Sequence, residues 1–210
     1  NRGLAAARGD LVVVLGADTL VPHGWSRGLL EGIRAYPRAG ALGPLFNLAP
    51  GLQQLSPVPY DTETLSGFDR FARKIARGNA GRLTPVVTLA GICLAMPRQA
   101  LRMVGGFDPI FFPGGLEDQD WCARLRAAGW QAYRADSVFI HHEGATSLAY
   151  ESASASELHE RGWELFKEKW GLPVDRGLKD GYSLKELPLD TFDRGLHFIA
   201  PWKATEPVVG

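Results

Sequence analysis

Three groups of residues in this sequence have the types and spacing to do chemistry. Asp18 follows the apolar run Leu11–Leu15 within Gly16-Ala17-Asp18. Glu117-Asp118-Gln119-Asp120 places three carboxylates in four residues, directly after Gly114-Gly115-Leu116. His141-His142-Glu143 closes a short apolar stretch and is followed by Gly144, Thr146 and Ser147. An aspartate and a histidine together suit a divalent cation, and such a cation suits phosphate oxygens. A remaining carboxylate is then available as a general base. Each group also has a plain structural reading. Asp18 could cap a turn, and the acids could cap a helix and complement its dipole. Neighbouring residues of a strand point to opposite faces, so at most one of His141 and His142 can aim at a given site.

The surrounding elements are those of an open α/β sheet. Leu11–Leu15 is continuously apolar, which predicts a strand covered on both faces, as in a parallel sheet. Trp25, Leu29, Ile33 and Tyr36 then form one helical stripe after Pro22. Ala41-Leu42-Gly43 reads as a second strand, completing a βαβ unit whose ligands bind beyond the carboxyl ends of its strands. Residues 44–60, rich in Pro and Gly, read as a surface loop, and helical spacing covers Thr62–Arg77. Val86–Ala95 reads as a long buried strand and Arg98–Val104 as a short helix. A helix opened by the acidic cluster ends at Gly129, a strand spans Ser137–His141, and a helix spans Ser152–Trp170. Residues 171–210 show no period and read as a wrapped extension.

The 210 residues balance 23 basic against 23 acidic side chains at 45% hydrophobic content, which excludes a disordered chain and any global field for nucleic acid. A local patch remains open. Cys93 and Cys122 sit in apolar stretches outside any CxxC pair and read as buried thiols of a reducing, cytoplasmic compartment. No run of eighteen apolar residues is present to span a membrane.

Taken together, the motifs resemble the family 2 glycosyltransferases of the GT-A fold. Asn1-x-Gly3, Gly9-Asp10, the apolar strand, Asp18 and Val21-Pro22-x-Gly24-Trp25 carry the first part of the resemblance. Val104-Gly105-Gly106-Phe107-Asp108, a following Phe111 or Phe112, and Glu117-Asp118-x-Asp120-Trp121-x-x-Arg124 running to Gly129 are similar to the family's acceptor-side motif. His141-His142-Glu143-Gly144-Ala145-Thr146 is similar to its terminal His element. The resemblance covers residues 1–150 as a GT-A-like metal and acceptor half, leaving 151–210 as a C-terminal helix and extended tail.

The resemblance implies a GT-A-like, mostly parallel sheet flanked by helices. It also implies inverting transfer of a sugar from a nucleotide-sugar donor to a glycan or lipid-linked acceptor, in polysaccharide or glycoconjugate synthesis. Asp118 matches the acid assigned as base, with Glu117 beside it. Asp18 matches the last acid of the Asp-x-Asp motif that holds Mn²⁺ or Mg²⁺ on the donor diphosphate. His141 matches the histidine that approaches the metal or pyrophosphate, with His142 the register alternative. Such an enzyme is expected in the cytoplasm, peripheral to the inner face of the membrane.

Two departures bear on this expectation. Gly16 stands where the motif's first acid would be. The family's opening βαβ segment, which binds the nucleoside, has no counterpart, so the sheet is expected to lack its first strands and the chain alone to be inactive. The competing expectation is a non-catalytic GT-A-like sugar-binding or scaffold relic. A metal-dependent hydrolase using Glu117, Asp118 and His141 lacks an HExxH or comparable ligand pair.

Overall fold

The structure is a computed structural model that describes residues 1–144, 153–188 and 192–201. In chain order the elements are α1 (Arg2–Ala6), β1 (Leu11–Leu15), β2 (Thr19–Leu20), α2 (Trp25–Ala35), β3 (Ala39–Phe46), α3 (Phe68–Gly78), β4 (Leu83–Pro85), β5 (Cys93–Pro97), α4 (Arg98–Val104), α5 (Glu117–Ala127), β6 (Gln131–His142), α6 (Ala153–Trp170) and α7 (Arg194–His197). The sheet runs β1-β5-β3-β6-β2, with β4 also paired to β6.

This is the mixed α/β, GT-A-like sheet flanked by helices, but its pairing is not mostly parallel. Among the strands of the described residues, only β3 and β6 pair in parallel. β5 lies antiparallel between β1 and β3, and β2 and β4 run antiparallel to β6. Continuous apolarity reports cover by neighbours and carries no information on strand direction. β1 is also less covered than its composition implies: it is the terminal strand of the sheet, and Leu15 is 39% exposed.

β5 shows how the sheet separates two layers. Leu94 and Met96 pack with Trp121, Cys122 and Leu125 of α5, whereas Cys93 and Ala95 pack with Leu29 of α2. Burial pushes the thiols of Cys93 and Cys122 up to about 12, and neither is in a disulfide. On the side of α5, Leu116 and Ala123 join Trp163, Phe166 and Trp170 of α6 and Leu172 and Leu187 beyond it. The tail returns to the turn after α4, where Ile199 accepts from the Gly106 N–H at 2.8 Å.

Two predicted elements differ in extent. α3 begins at Phe68 rather than Thr62, after Leu65 and Gly67 take positive φ. The expected strand Val86–Ala95 is a strand only from Cys93, and just before it the N–H groups of Ala90 and Gly91 go to side chains instead of a ladder. Ala90 donates to Gln53 Oε1 at 2.7 Å, and Gly91 donates to Asp118 Oδ2 at 2.8 Å. No helix among the described residues is long and apolar enough to cross a membrane.

Candidate active site

Asp18 is placed by a tight turn after β1. The Gly16 N–H donates to Ile92 O at 2.8 Å, and Thr19 Oγ1 donates back to Gly16 O at 2.7 Å. β2 then pairs Thr19 with His142, and the Glu143 N–H donates to Asp18 O at 2.9 Å. This register brings Asp18 Oδ2 to 3.1 Å from His142 Nε2. On the other side of the ring, His142 Nδ1 is 2.9 Å from Leu48 O. A carbonyl only accepts, so Nδ1 carries a proton and Nε2 is the nitrogen left to face Asp18. Asn47 fixes the backbone beneath, donating to His142 O at 3.0 Å and accepting from its N–H at 2.7 Å.

A carboxylate oxygen and an imidazole nitrogen facing one another are a donor set that fits a divalent cation. The carbonyl on the far nitrogen is the kind of support that orients metal-bound histidines. Among the described residues no group of three or more His, Cys, Asp or Glu is arranged for a metal. A Cβ at Gly16 would stand 2.9 Å from Asp18 Oδ1, so the position of the motif's missing acid lies against the aspartate that remains.

The expected facing of the two histidines is reversed. His142 pairs with Asp18, whereas His141, which pairs with Leu20 across the ladder, takes the other face of β6. Its Nδ1 is 2.7 Å from Tyr60 Oη, and its ring packs edge-on against Tyr60 and Phe68. Its Nε2 lies 3.5 Å from Glu143 Oε1, close enough for attraction but without hydrogen-bond geometry. Burial holds the His141 imidazole below its ordinary pKa, opposed by Glu143. Thr146 and Ser147, also singled out by sequence, lie outside the described residues.

The acidic cluster divides its roles by position on α5. Asp118 Oδ2 accepts from Gly91 and Oδ1 from the Gln119 N–H at 2.7 Å. Desolvation and then the Glu117 charge push its carboxyl up to about 6, against the lowering effect of these N–H donors. It lines a cleft of about 300 Å³ together with Gly51, Leu52, Gln53, Thr88 and Leu89. Glu117 folds back to accept from the Gly115 N–H at 2.8 Å, a capping contact. Asp120 is fully buried. It accepts from Arg124 Nε at 2.8 Å and from Trp170 Nε1 at 3.1 Å, with Lys169 Nζ at 2.7 Å. Arg124 in turn donates to Val104 O and Gly106 O, so the third acid and the arginine of the motif tie α5 and α6 to the glycine turn.

Gly91 and Ile92 link the two halves. Gly91 holds the Asp118 carboxylate, and the next residue holds the Gly16 turn that presents Asp18. Sequence reasoning missed Gln53, which is 3% exposed in the middle of the supposed surface loop, donating to Pro44 O at 3.0 Å while it accepts from Ala90. It missed Asn47, Leu48 and Tyr60 for the same reason: nothing periodic marks that segment.

Comparisons with known proteins give two kinds of match. Residues 74–145 match the family model described as the N-terminal domain of galactosyltransferase, a span that includes Asp118 and both histidines. Over 206 residues the chain is 29% identical to N-acetylglucosaminyl-diphospho-decaprenol L-rhamnosyltransferase of two Mycobacterium tuberculosis strains, CDC 1551 / Oshkosh and ATCC 25618 / H37Rv. The alignment covers 84% of this chain and 62% of each relative, so the chain spans less than two thirds of the length of the curated relatives it matches. Together with the α/β sheet, these matches support a protein of the family 2 glycosyltransferase type.

Proposed function

We propose that the protein transfers a sugar, with inversion, from a nucleotide-sugar to a hydroxyl of a lipid-linked acceptor in glycoconjugate synthesis. The observation that carries this reading is the Gly91–Ile92 link, which joins a raised-pKa carboxylate on a cleft to an Asp–His pair of metal-ligand type. Asp118 takes the proton of the acceptor hydroxyl as its oxygen bonds to the anomeric carbon. The bond from that carbon to the diphosphate breaks on the opposite face, and its electron pair leaves with the diphosphate. A single displacement of this kind inverts the centre.

Asp18 and His142, in place of the expected Asp18 and His141, are the residues that would hold Mn²⁺ or Mg²⁺. Such an ion supplies charge neutralisation for a leaving diphosphate. Leu48 O and Asn47 hold the His142 ring and backbone in place. Glu117 supports the loop entering α5 rather than the proton transfer. The acceptor in the relatives' name, a diphospho-decaprenol sugar, supports a polyprenyl-diphosphate-linked acceptor here.

The alternative, a non-catalytic sugar-binding or scaffold relic, rests on Gly16. The deciding experiment is a thermal-shift and sugar-transfer assay on this chain and on a form extended upstream to the relatives' length. A transferase is stabilised by nucleoside diphosphate only with Mn²⁺ and transfers sugar in the extended form. A relic shows neither response, and a hydrolase responds to metal alone. The 210 residues by themselves are expected to be inactive, since remote binding contacts to a donor also position its reacting centre.

A further inference from the structure

The chain has no net charge, yet α3 carries Arg70, Arg73, Lys74 and Arg77 on one face. The opposite face explains their orientation: Phe68 and Ala72 are buried with Leu45, Tyr60 and Phe139, and Phe71 and Ile75 pack against the same cluster. The four cations are therefore turned outward, and all four are exposed. None forms an ion pair among the described residues, although Arg82, Arg134, Lys167, Lys169 and Arg176 elsewhere each have a carboxylate partner. Asp69 lies in the first turn of α3, and Glu31 lines a groove together with Arg73 and Arg27, but neither forms an ion pair with the stripe among the described residues.

Phe68, at the start of α3, packs against His141, so α3 covers the face of β6 opposite the His142–Asp18 pair and its cations lie outside that pair's surroundings. We propose that the outer face of α3 docks on an anionic bilayer through phosphate headgroups, holding the protein at a surface that carries a lipid-borne acceptor. This rests on the transferase reading only for its purpose. The docking is electrostatic, because the stripe has no exposed large apolar side chain to insert.

Each cation near an anionic surface contributes about fivefold in partitioning, so four contribute on the order of 10²–10³. The test is co-sedimentation of the full chain with phosphatidylcholine vesicles containing one third phosphatidylglycerol. The comparison is R70Q/R73Q/K74Q/R77Q, with R8Q/R102Q/K179Q/K185Q as a control of equal charge change, and melting curves verify folding of both. Wild type and control are expected to pellet with anionic vesicles and not with neutral ones. The α3 variant is expected to stay in the supernatant. Binding should vanish in about 1 M salt, where the screening length is about 3 Å. Equal binding to neutral vesicles, or anionic binding that survives the α3 substitutions, overturns the proposal. Equal loss in the control also overturns it, since net charge would then suffice. The assay reads no catalysis, so sugar transfer without vesicle binding would reject the docking surface alone.

Discussion

His142 Nε2 faces Asp18 Oδ2 at 3.1 Å while the ring's other nitrogen is committed to the Leu48 carbonyl. In the proposed function this makes His142 the ligand and its neighbour a packing residue. His142→Gln is expected to abolish Mn²⁺-dependent binding of a nucleoside diphosphate by calorimetry, with little change in folding. His141→Ala should retain that binding and instead cost roughly 2–3 kcal/mol of stability, since it opens a cavity in an aromatic cluster and strands the Tyr60 hydroxyl. The reverse pattern would return the metal role to His141.

Asp118→Asn is expected to lower kcat in the extended enzyme by about 10²–10⁴ while leaving donor binding nearly intact. With its carboxyl at about 6, the wild-type rate should rise with pH through that value, because only the ionised form accepts a proton. Stability moves the opposite way. The folded pKa is above the ordinary 3.8, so the stabilising contribution is complete below that value and is lost as pH rises through about 6. Denaturation curves should therefore show Asp118→Asn gaining about 1 kcal/mol over wild type at pH 8 and nothing at pH 3, after discounting for the carboxylate's partial exposure.

Breaking the buried Asp120–Arg124 pair should destabilise without touching chemistry. Arg124→Met leaves Asp120 with Lys169 and Trp170 but strips donors from Val104 O and Gly106 O, and Asp120→Asn leaves a buried guanidinium short of charge. Each is expected to cost about 3–5 kcal/mol in urea unfolding. Activity per folded molecule should stay near wild type, which would separate Asp120 from Asp118.

Gln53 acts on the base through the backbone. Gln53→Leu leaves the Ala90 N–H and Pro44 carbonyl without partners and frees the segment that carries Gly91. Alongside a loss of roughly 1–3 kcal/mol, the pH–rate midpoint is expected to move, because the Gly91 donor that lowers the Asp118 pKa is no longer held. Gln53→Glu keeps the acceptor for Ala90 and should restore part of the midpoint but not the Pro44 contact. An unmoved midpoint in Gln53→Leu would reduce Gln53 to a packing role.

Much of the frame was legible because it depends on local pattern. The apolar run at Leu11–Leu15, the stripe through Trp25, Leu29 and Ile33, and the glycine-bounded α5 each announce themselves within a few residues. The failures lie where distant partners decide. Val86 to Ile92 has a strand's composition, but at Ala90 and Gly91 the side chains of Gln53 and Asp118 take the hydrogen bonds that a neighbouring strand would otherwise take. Strand alternation separates His141 from His142 but cannot say which faces Asp18, because that depends on pairing Thr19 with His142 across more than a hundred residues. Of the three acids, only contact with Trp170 and Lys169 marks Asp120 as internal.

The bond from Gly91 to Asp118 also makes one backbone proton a gauge of the base. A hydrogen bond to a carboxylate is about twice as strong as one to its neutral acid. The Gly91 amide should therefore resonate downfield while Asp118 is ionised and move upfield as pH falls through about 6. A titration of that single resonance would follow the charge of the proposed base in the resting protein, with no donor, acceptor or turnover required.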